Sequence, residues 1–238
     1  MSGTEGAALS RHARRPKVKG MPKTLRVDIV SDAICPWCFI GKRRFERALA
    51  ELPAGTLEVG WRPFQLNPDM PREGMDRADY LRAKFGNERG GHRYDAVIDA
   101  GREEGIAFDF DAIKRTPSTL DAHRLIRYAG MHDRQDAVVE ALFRAYFTAG
   151  RNIGDAAVLA AVAGEAGLEA GAVAAHLASE EDVAAVRAED DFARQVGIHG
   201  VPCFIFERKY AISGAQPPEV FRQVYDKIAS GTVEAAAG

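Results

Sequence analysis

Between Leu25 and Asp28 apolar and polar positions alternate, and the pattern then turns wholly apolar at Ile29-Val30. A period of two closing into an apolar run predicts a strand that passes from an edge into a core. From Pro36 onward the period changes: Phe39, Ile40, Phe45, Ala48, Leu49 and Leu52 recur at helical spacing until Pro53-Ala54-Gly55 breaks it. Leu57 to Trp61 reads as a second strand, so the chain opens β-α-β. From about Pro68 to Glu189 the periodicity is helical, with Val138, Leu142 and Tyr146 on one row of a helix and Val139, Phe143 and Phe147 on the next. Alanine-rich segments around Leu159 and Val173, punctuated by Gly164, Gly167 and Gly171, predict short packed helices. Asp190 to Val196 then predicts a helix closed by Gly197. Two strands follow, at about 203–207 and 210–213, joined by a tight Glu207-Arg208-Lys209 turn. Pro217-Pro218 begins a last helix with Val220, Phe221, Val224, Tyr225 and Ile228 facing inward.

A β-α-β opening and a β-β-α closing around a helical block describe one split α/β domain. Residues 21–67 and 190–232 form that discontinuous domain, residues 68–189 a helical insertion, and residues 1–20 a flexible N-terminal extension. At 238 residues, 46% apolar and 28% charged, the chain has an ordinary globular composition with ample material for a core. A formal net charge of -2 gives no global attraction to phosphate backbones or acidic membranes, so neither nucleic acid nor a membrane is the expected partner. Arg11, Arg14, Arg15, Lys17 and Lys19 are not followed by an apolar stretch of signal-peptide length, and the expected compartment is the cytoplasm.

The three cysteines, at 35, 38 and 203, are too few for the disulfide framework of a small secreted domain. Cys35 and Cys38 enclose Pro36-Trp37 where the first strand gives way to the first helix. A thiolate is the nucleophile of disulfide exchange, and the unpaired N–H groups of a helix N-terminus favour it. Cys35 is placed for that role. Cys38, one helical turn on, is placed to attack a mixed disulfide formed at Cys35. Pro36 suits the first helical position, where its missing N–H would be unpaired anyway, and Trp37 offers an apolar face to a substrate beside the thiols.

C-x-x-C spacing alone serves zinc almost as well. His199 and Cys203 formally supply two more ligands, which makes a metal- or partner-binding module the non-enzymatic alternative. Against it, Pro202 lies between them, and Cys203 opens an apolar run in which a sulfur is usually inert packing. No metal is expected. A regulatory disulfide from Cys203 to Cys35 or Cys38 is the remaining option.

Five blocks of the sequence together resemble the DsbA-like thioredoxin family, in its FrnE-type branch. They are Ser31-Asp32-Ala33-Ile34-Cys35-Pro36-Trp37-Cys38-Phe39-Ile40-Gly41, Trp61-Arg62-Pro63-Phe64-Gln65-Leu66-Asn67-Pro68, Asp121-Ala122-His123-Arg124-Leu125, Leu142-Phe143-Arg144-Ala145-Tyr146-Phe147 and Gly200-Val201-Pro202. The resemblance implies a thioredoxin-like fold with a large, mostly helical insertion. It also implies disulfide oxidoreductase activity with Cys35 as nucleophile and Cys38 as resolving thiol. A cis bond before Pro202 is implied opposite the dithiol, where the backbone of Val201 pairs with a bound peptide. Pro36, Trp37, Val201, Pro202 and His123 are the implied substrate contacts, His123 because its block is shared. Arg62 and Asn67 either line the cleft or brace the junction to the insertion. The implied substrate is a protein or small-molecule disulfide or dithiol; no cofactor is required, and glutathione is admitted as a redox partner. A homodimer is left open.

A related branch, similar to 2-hydroxychromene-2-carboxylate isomerases and kappa-class glutathione transferases, uses glutathione and typically carries serine in place of the first cysteine. A glutathione-dependent isomerase or transferase is therefore the alternative enzyme, and Cys35 places this chain on the dithiol side. Cys203 departs from the uncharged, non-thiol residue that often follows the cis proline in the family.

Overall fold

The structure is a computed structural model and describes residues 24–86 and 93–232. The extension expected over residues 1–20 lies outside the described residues. In chain order the elements are β1 (Leu25–Ser31), α1 (Pro36–Ala50), β2 (Leu57–Pro63), β3 (Met75–Asp76), α2 (Arg77–Phe85), α3 (Arg93–Glu103), β4 (Arg115–Thr116) and α4 (Leu120–Gly130). They continue with α5 (Gln135–Phe147), α6 (Ala156–Glu165), α7 (Ala170–Ala178), α8 (Val183–Gln195), β5 (Cys203–Phe206), β6 (Tyr210–Ser213) and α9 (Pro218–Ala229).

The opening and closing segments share one four-stranded sheet of order β2-β1-β5-β6. β1 runs parallel to β2, with Leu25 opposite Leu57, and antiparallel to β5, with Val30 opposite Cys203. As a central strand β1 is buried along most of its length, which explains why its sequence ends as an unbroken apolar run. Side-chain alternation then divides β1 and β5 between two apolar clusters. Val27, Ile29, Phe204 and Phe206 join the main core with Phe45 of α1 and Phe221 of α9. There the Phe45, Phe204 and Phe221 rings meet at centroid distances of 4.6 to 5.3 Å. Val30 and Cys203 pack instead with Phe64 and with Ala193 of α8.

The three-residue β5–β6 turn, between the paired Phe206 and Tyr210, puts Glu207 and Arg208 at φ 51° and 58°, a left-handed conformation that glycine or asparagine normally occupies. Glu207 is held there by a double tie to β1: its N–H donates to the Arg26 carbonyl at 2.8 Å, and its carboxylate accepts from the Arg26 N–H at 2.7 Å.

The insertion wraps the β2 edge and α1. Phe143 stacks on Phe39 at 5.1 Å. The Gln135 side chain pairs with the backbone of Trp61 from both sides, accepting its N–H at 2.9 Å and donating to its carbonyl at 3.3 Å, so a side chain closes part of an exposed strand edge. Arg124 is fully buried and donates to the carbonyls of His176, Leu177, Ser179 and Glu181, and to Asp121, at 2.7 to 3.2 Å, which ties α4 to the C-terminal end of α7.

Two features differ from the sequence pattern. The helix expected from Asp190 begins at Val183, because Val186 on its first turns is buried as well. The β3–β4 ladder has two residues per strand, too short to show a period. Among the described residues no helix is long and apolar enough to cross a membrane.

Candidate active site

β1 ends at Ser31, and the chain turns through Asp32, Ala33 and Ile34 before α1 starts. The Cys35 N–H closes that turn on the Asp32 carbonyl at 3.0 Å. Cys35 is the N-cap of α1 in extended conformation, φ -93° and ψ 112°, with Pro36 at the first helical position. Its side chain does not cap the helix. Instead Sγ lies 3.5 Å from the carbonyl oxygen of Val201, and the Val201–Pro202 bond that follows is cis. The three cysteines are free thiols.

The two thiols of the pair are not equivalent. Cys35 retains 5% of its surface, while Cys38 retains 1%. Burial pushes the Cys38 thiol well above its ordinary range, and the hydrogen bond and charge of Cys35 push it further; the Ser31 hydroxyl and the Asp32 backbone pull the other way. Trp37 lies between the two thiols in sequence and is exposed.

Pro202 is buried and packs on α1 at Gly41. A Cβ at Gly41 would lie 2.9 Å from Pro202 Cγ and 3.4 Å from Phe204 Cζ. This close approach of helix to proline loop holds the Val201 carbonyl beside Cys35. The role of Gly41 escaped the sequence reading, although a glycine inside an apolar helical pattern is itself a signal.

Behind the dithiol lies a polar cluster. Asp32 is fully buried, and its carboxylate accepts the Leu66 N–H at 2.7 Å. His123 of α4, also buried, places Nε2 3.2 Å from the Phe64 carbonyl oxygen and 3.5 Å from Asp32 Oδ1. The structure thus connects His123 to the dithiol through Asp32, whose backbone carbonyl holds Cys35. In the sequence Ser31 and Asp32 stood only at the start of the block from Ser31 to Gly41 that carries the family resemblance, with no role of their own.

Arg62 donates to Asp28 at 2.8 Å, and Asn67 accepts from Tyr80 at 3.2 Å and Lys84 at 3.0 Å. Both therefore brace neighbouring elements. Cys203 is buried among Val30, Phe64 and Ala193, and burial lifts its thiol above the ordinary range against a hydrogen bond from Ser213. His199 is exposed. Among the described residues no group of three or more His, Cys, Asp or Glu side chains gathers as a metal site would require.

A thiol pair at the start of the first helix of a β-α-β unit, faced by a cis-proline loop from an adjoining antiparallel strand, defines a thioredoxin-like dithiol protein. Residues 26–226 match the model of the DSBA-like thioredoxin domain, and the chain belongs to that family. It is similar to the probable DsbA oxidoreductase SCO1869 from Streptomyces coelicolor, at 37% identity and a TM-score of 0.78, over 88% of this chain and 92% of that one. It is also 27% identical to the uncharacterized protein YwbO of Bacillus subtilis over 209 residues, 84% of this chain and 95% of the relative. The cytosolic disulfide reductase DsbM from Pseudomonas aeruginosa with GSH shares the fold at 18% identity and a TM-score of 0.64, over 87% of this chain and 100% of that one.

Proposed function

We propose that the chain is a thiol–disulfide oxidoreductase working through Cys35 and Cys38. The observation that carries this reading is the asymmetry of the pair: Cys35 at the helix N-terminus beside the Val201 carbonyl, and Cys38 one turn behind and fully enclosed. In the reducing direction the Cys35 thiolate attacks a substrate disulfide, forming a mixed disulfide and releasing one substrate thiolate. The Cys38 thiolate then attacks the Cys35 sulfur, releasing the second substrate thiol and leaving the Cys35–Cys38 disulfide. The reverse sequence oxidises a substrate dithiol. Trp37 and the Val201-Pro202 loop bound the substrate position, and glutathione is a fitting small-molecule redox partner. The cytoplasm is the proposed compartment.

Cys35→Ser should abolish insulin reduction, and Cys38→Ser should accumulate a mixed disulfide at Cys35, detected by mass spectrometry. Full activity in Cys35→Ser would overturn the reading. Glutathione-saturable turnover that survives Cys38→Ser would point instead to a glutathione-dependent isomerase or transferase.

A further inference from the structure

A surface helix needs one apolar row, and α8 buries its own at Val186, Asp190 and Ala193. It carries a second: Phe192 and Val196, one turn apart, are 62% and 55% exposed. Beside them, Ile205 of β5 is only half-buried and its cross-strand partner Ala211 on β6 is exposed. With Val30, Ala193 and Ile198 these side chains line a groove of about 520 Å³ between α8 and the β5–β6 hairpin. Contiguous exposed apolar surface of this kind marks a place where something binds.

The charges along the groove are unbalanced. Its acids are already paired, Asp28 with Arg26 and Arg62, and Glu189 with Arg62 and Arg127. At the hairpin end Arg208 and Lys209 are exposed, and among the described residues neither side chain has a hydrogen bond or an ion pair. Arg208 is held in place by a left-handed backbone, next to Glu207 with its two hydrogen bonds to Arg26. The groove therefore offers two unpaired cations at one end, on a chain whose net charge is -2.

The groove is continuous with the dithiol site. Ile198 and Ile205 of the groove and Val201 of the proline loop pack on one cluster, formed by Val30, Phe64, Ala193 and Cys203. The Val201 carbonyl is the oxygen beside Cys35 Sγ. Between Val201 and Arg208 the chain follows β5, so at about 3.3 Å per residue the cations stand no more than about 23 Å from the proline loop. A small disulfide reacting at Cys35 does not reach them. An extended polypeptide does, with about six residues between its cysteine and the group that meets the cations.

We infer that this groove seats an extended, acidic segment of a polypeptide substrate: an apolar side chain lies against Phe192, Val196 and Ile205, and a carboxylate about six residues from the reacting cysteine meets Arg208 and Lys209. The inference rests on the dithiol reading above and narrows its substrate to polypeptides. Removing Phe192 and Val196 from water supplies affinity. The two cations discriminate by the sign of the charge brought to them. These residues touch the substrate away from the reacting sulfur, so they govern which substrate is held and leave the exchange chemistry to Cys35 and Cys38.

The test mixes the reduced protein with pyridyl disulfides in a stopped-flow instrument and follows the thiopyridone released on attack by Cys35. Dipyridyl disulfide is the small, uncharged probe. Two peptides carry a single cysteine as its pyridyl disulfide, with leucine and an ionic residue about six positions away on both sides, glutamate in one peptide and lysine in the other. Each peptide rate is divided by the same protein's rate with dipyridyl disulfide, so that any damage to the dithiol cancels. The native protein should prefer the glutamate peptide by about fivefold at low ionic strength, the effect of reversing a charge opposite two exposed cations, and salt should erase the preference. Arg208→Glu combined with Lys209→Glu should reverse it, and Phe192→Ser should raise the concentration at which both peptides saturate. Equal ratios for the two peptides with the native protein, or a preference for lysine, overturn the inference whether or not any variant folds. A dimer in light scattering that Phe192→Ser dissociates assigns the groove to a second copy and overturns it as well. A dipyridyl disulfide rate that Cys35→Ser leaves unchanged overturns the dithiol reading itself.

Discussion

Gly41 shows how much of the site depends on an atom that is missing. Its Cβ position is 2.9 Å from the ring of Pro202, which has little freedom to move aside. Gly41→Ala should therefore destabilise the fold by about 1–3 kcal/mol, the usual range for overpacking, and should slow disulfide exchange by displacing the Val201 carbonyl from Cys35. Gly164 in α6 is the contrasting case: its nearest atom would be Ala170 Cβ at 3.8 Å. Gly164→Ala should gain up to about 1 kcal/mol from helix propensity with exchange unaffected. Urea midpoints and the stopped-flow assay on both variants check the pair, and a stabilised, fully active Gly41→Ala would show that helix and loop are not in the tight contact described. This scale also marks where sequence reading stops. Cys35 and Cys38 announce themselves by spacing and by the switch of period around them. Gly41 and Asp32 acquire meaning only when Pro202 and His123, distant in sequence, arrive beside them.

At the scale of elements, helices that bury one face and strands that run into the core were legible because their apolar positions mark them; α1, α5, β1 and β5 are examples. The ties between elements were not, since they run through polar side chains whose partners lie far along the chain. Arg124 is the clearest: a charged residue beside His123 in a helical pattern reads as solvent-facing, yet it is fully enclosed and satisfies four carbonyls at the end of α7. Removing it leaves those acceptors unpaired in the interior, at about 1–3 kcal/mol for each buried group left unsatisfied. Arg124→Met should accordingly lower stability by about 3 kcal/mol or more, since several acceptors are orphaned together. Arg124→Lys should recover only part of the loss, because three rotatable donors cannot reproduce the planar fork. Chemical denaturation resolves the two variants, and equal stability of Arg124→Met and the native chain would mean that water replaces the guanidinium there.

The whole molecule is held together across the seam between α1 and the insertion by a charged network centred on Glu140 of α5. Arg144 donates to it at 2.6 Å, Arg43 of α1 donates to the same oxygen, and Lys42 of α1 stands 3.4 Å away with its own contacts to Glu46 and Asp136. Burial pushes the Glu140 carboxyl up, but the Arg144 hydrogen bond and the charges of Lys42 and Arg43 outweigh it and hold the group below the ordinary carboxylate range. Asp28 in the sheet behaves alike, with burial overcome by the hydrogen bonds of Arg26 and Arg62. A carboxylate depressed in the folded state adds stability that is fully present above its unfolded value, about 4, and is lost as pH falls through the folded one. The native chain should therefore lose stability progressively below pH about 4. Glu140→Gln should cost about 1–3 kcal/mol at neutral pH, and its deficit relative to the native chain should shrink as acid protonates the native carboxyl. Urea titrations of both proteins at neutral and acid pH supply the four stabilities needed. A deficit that stays constant with pH would assign the seam to the Phe39–Phe143 stack rather than to its charges.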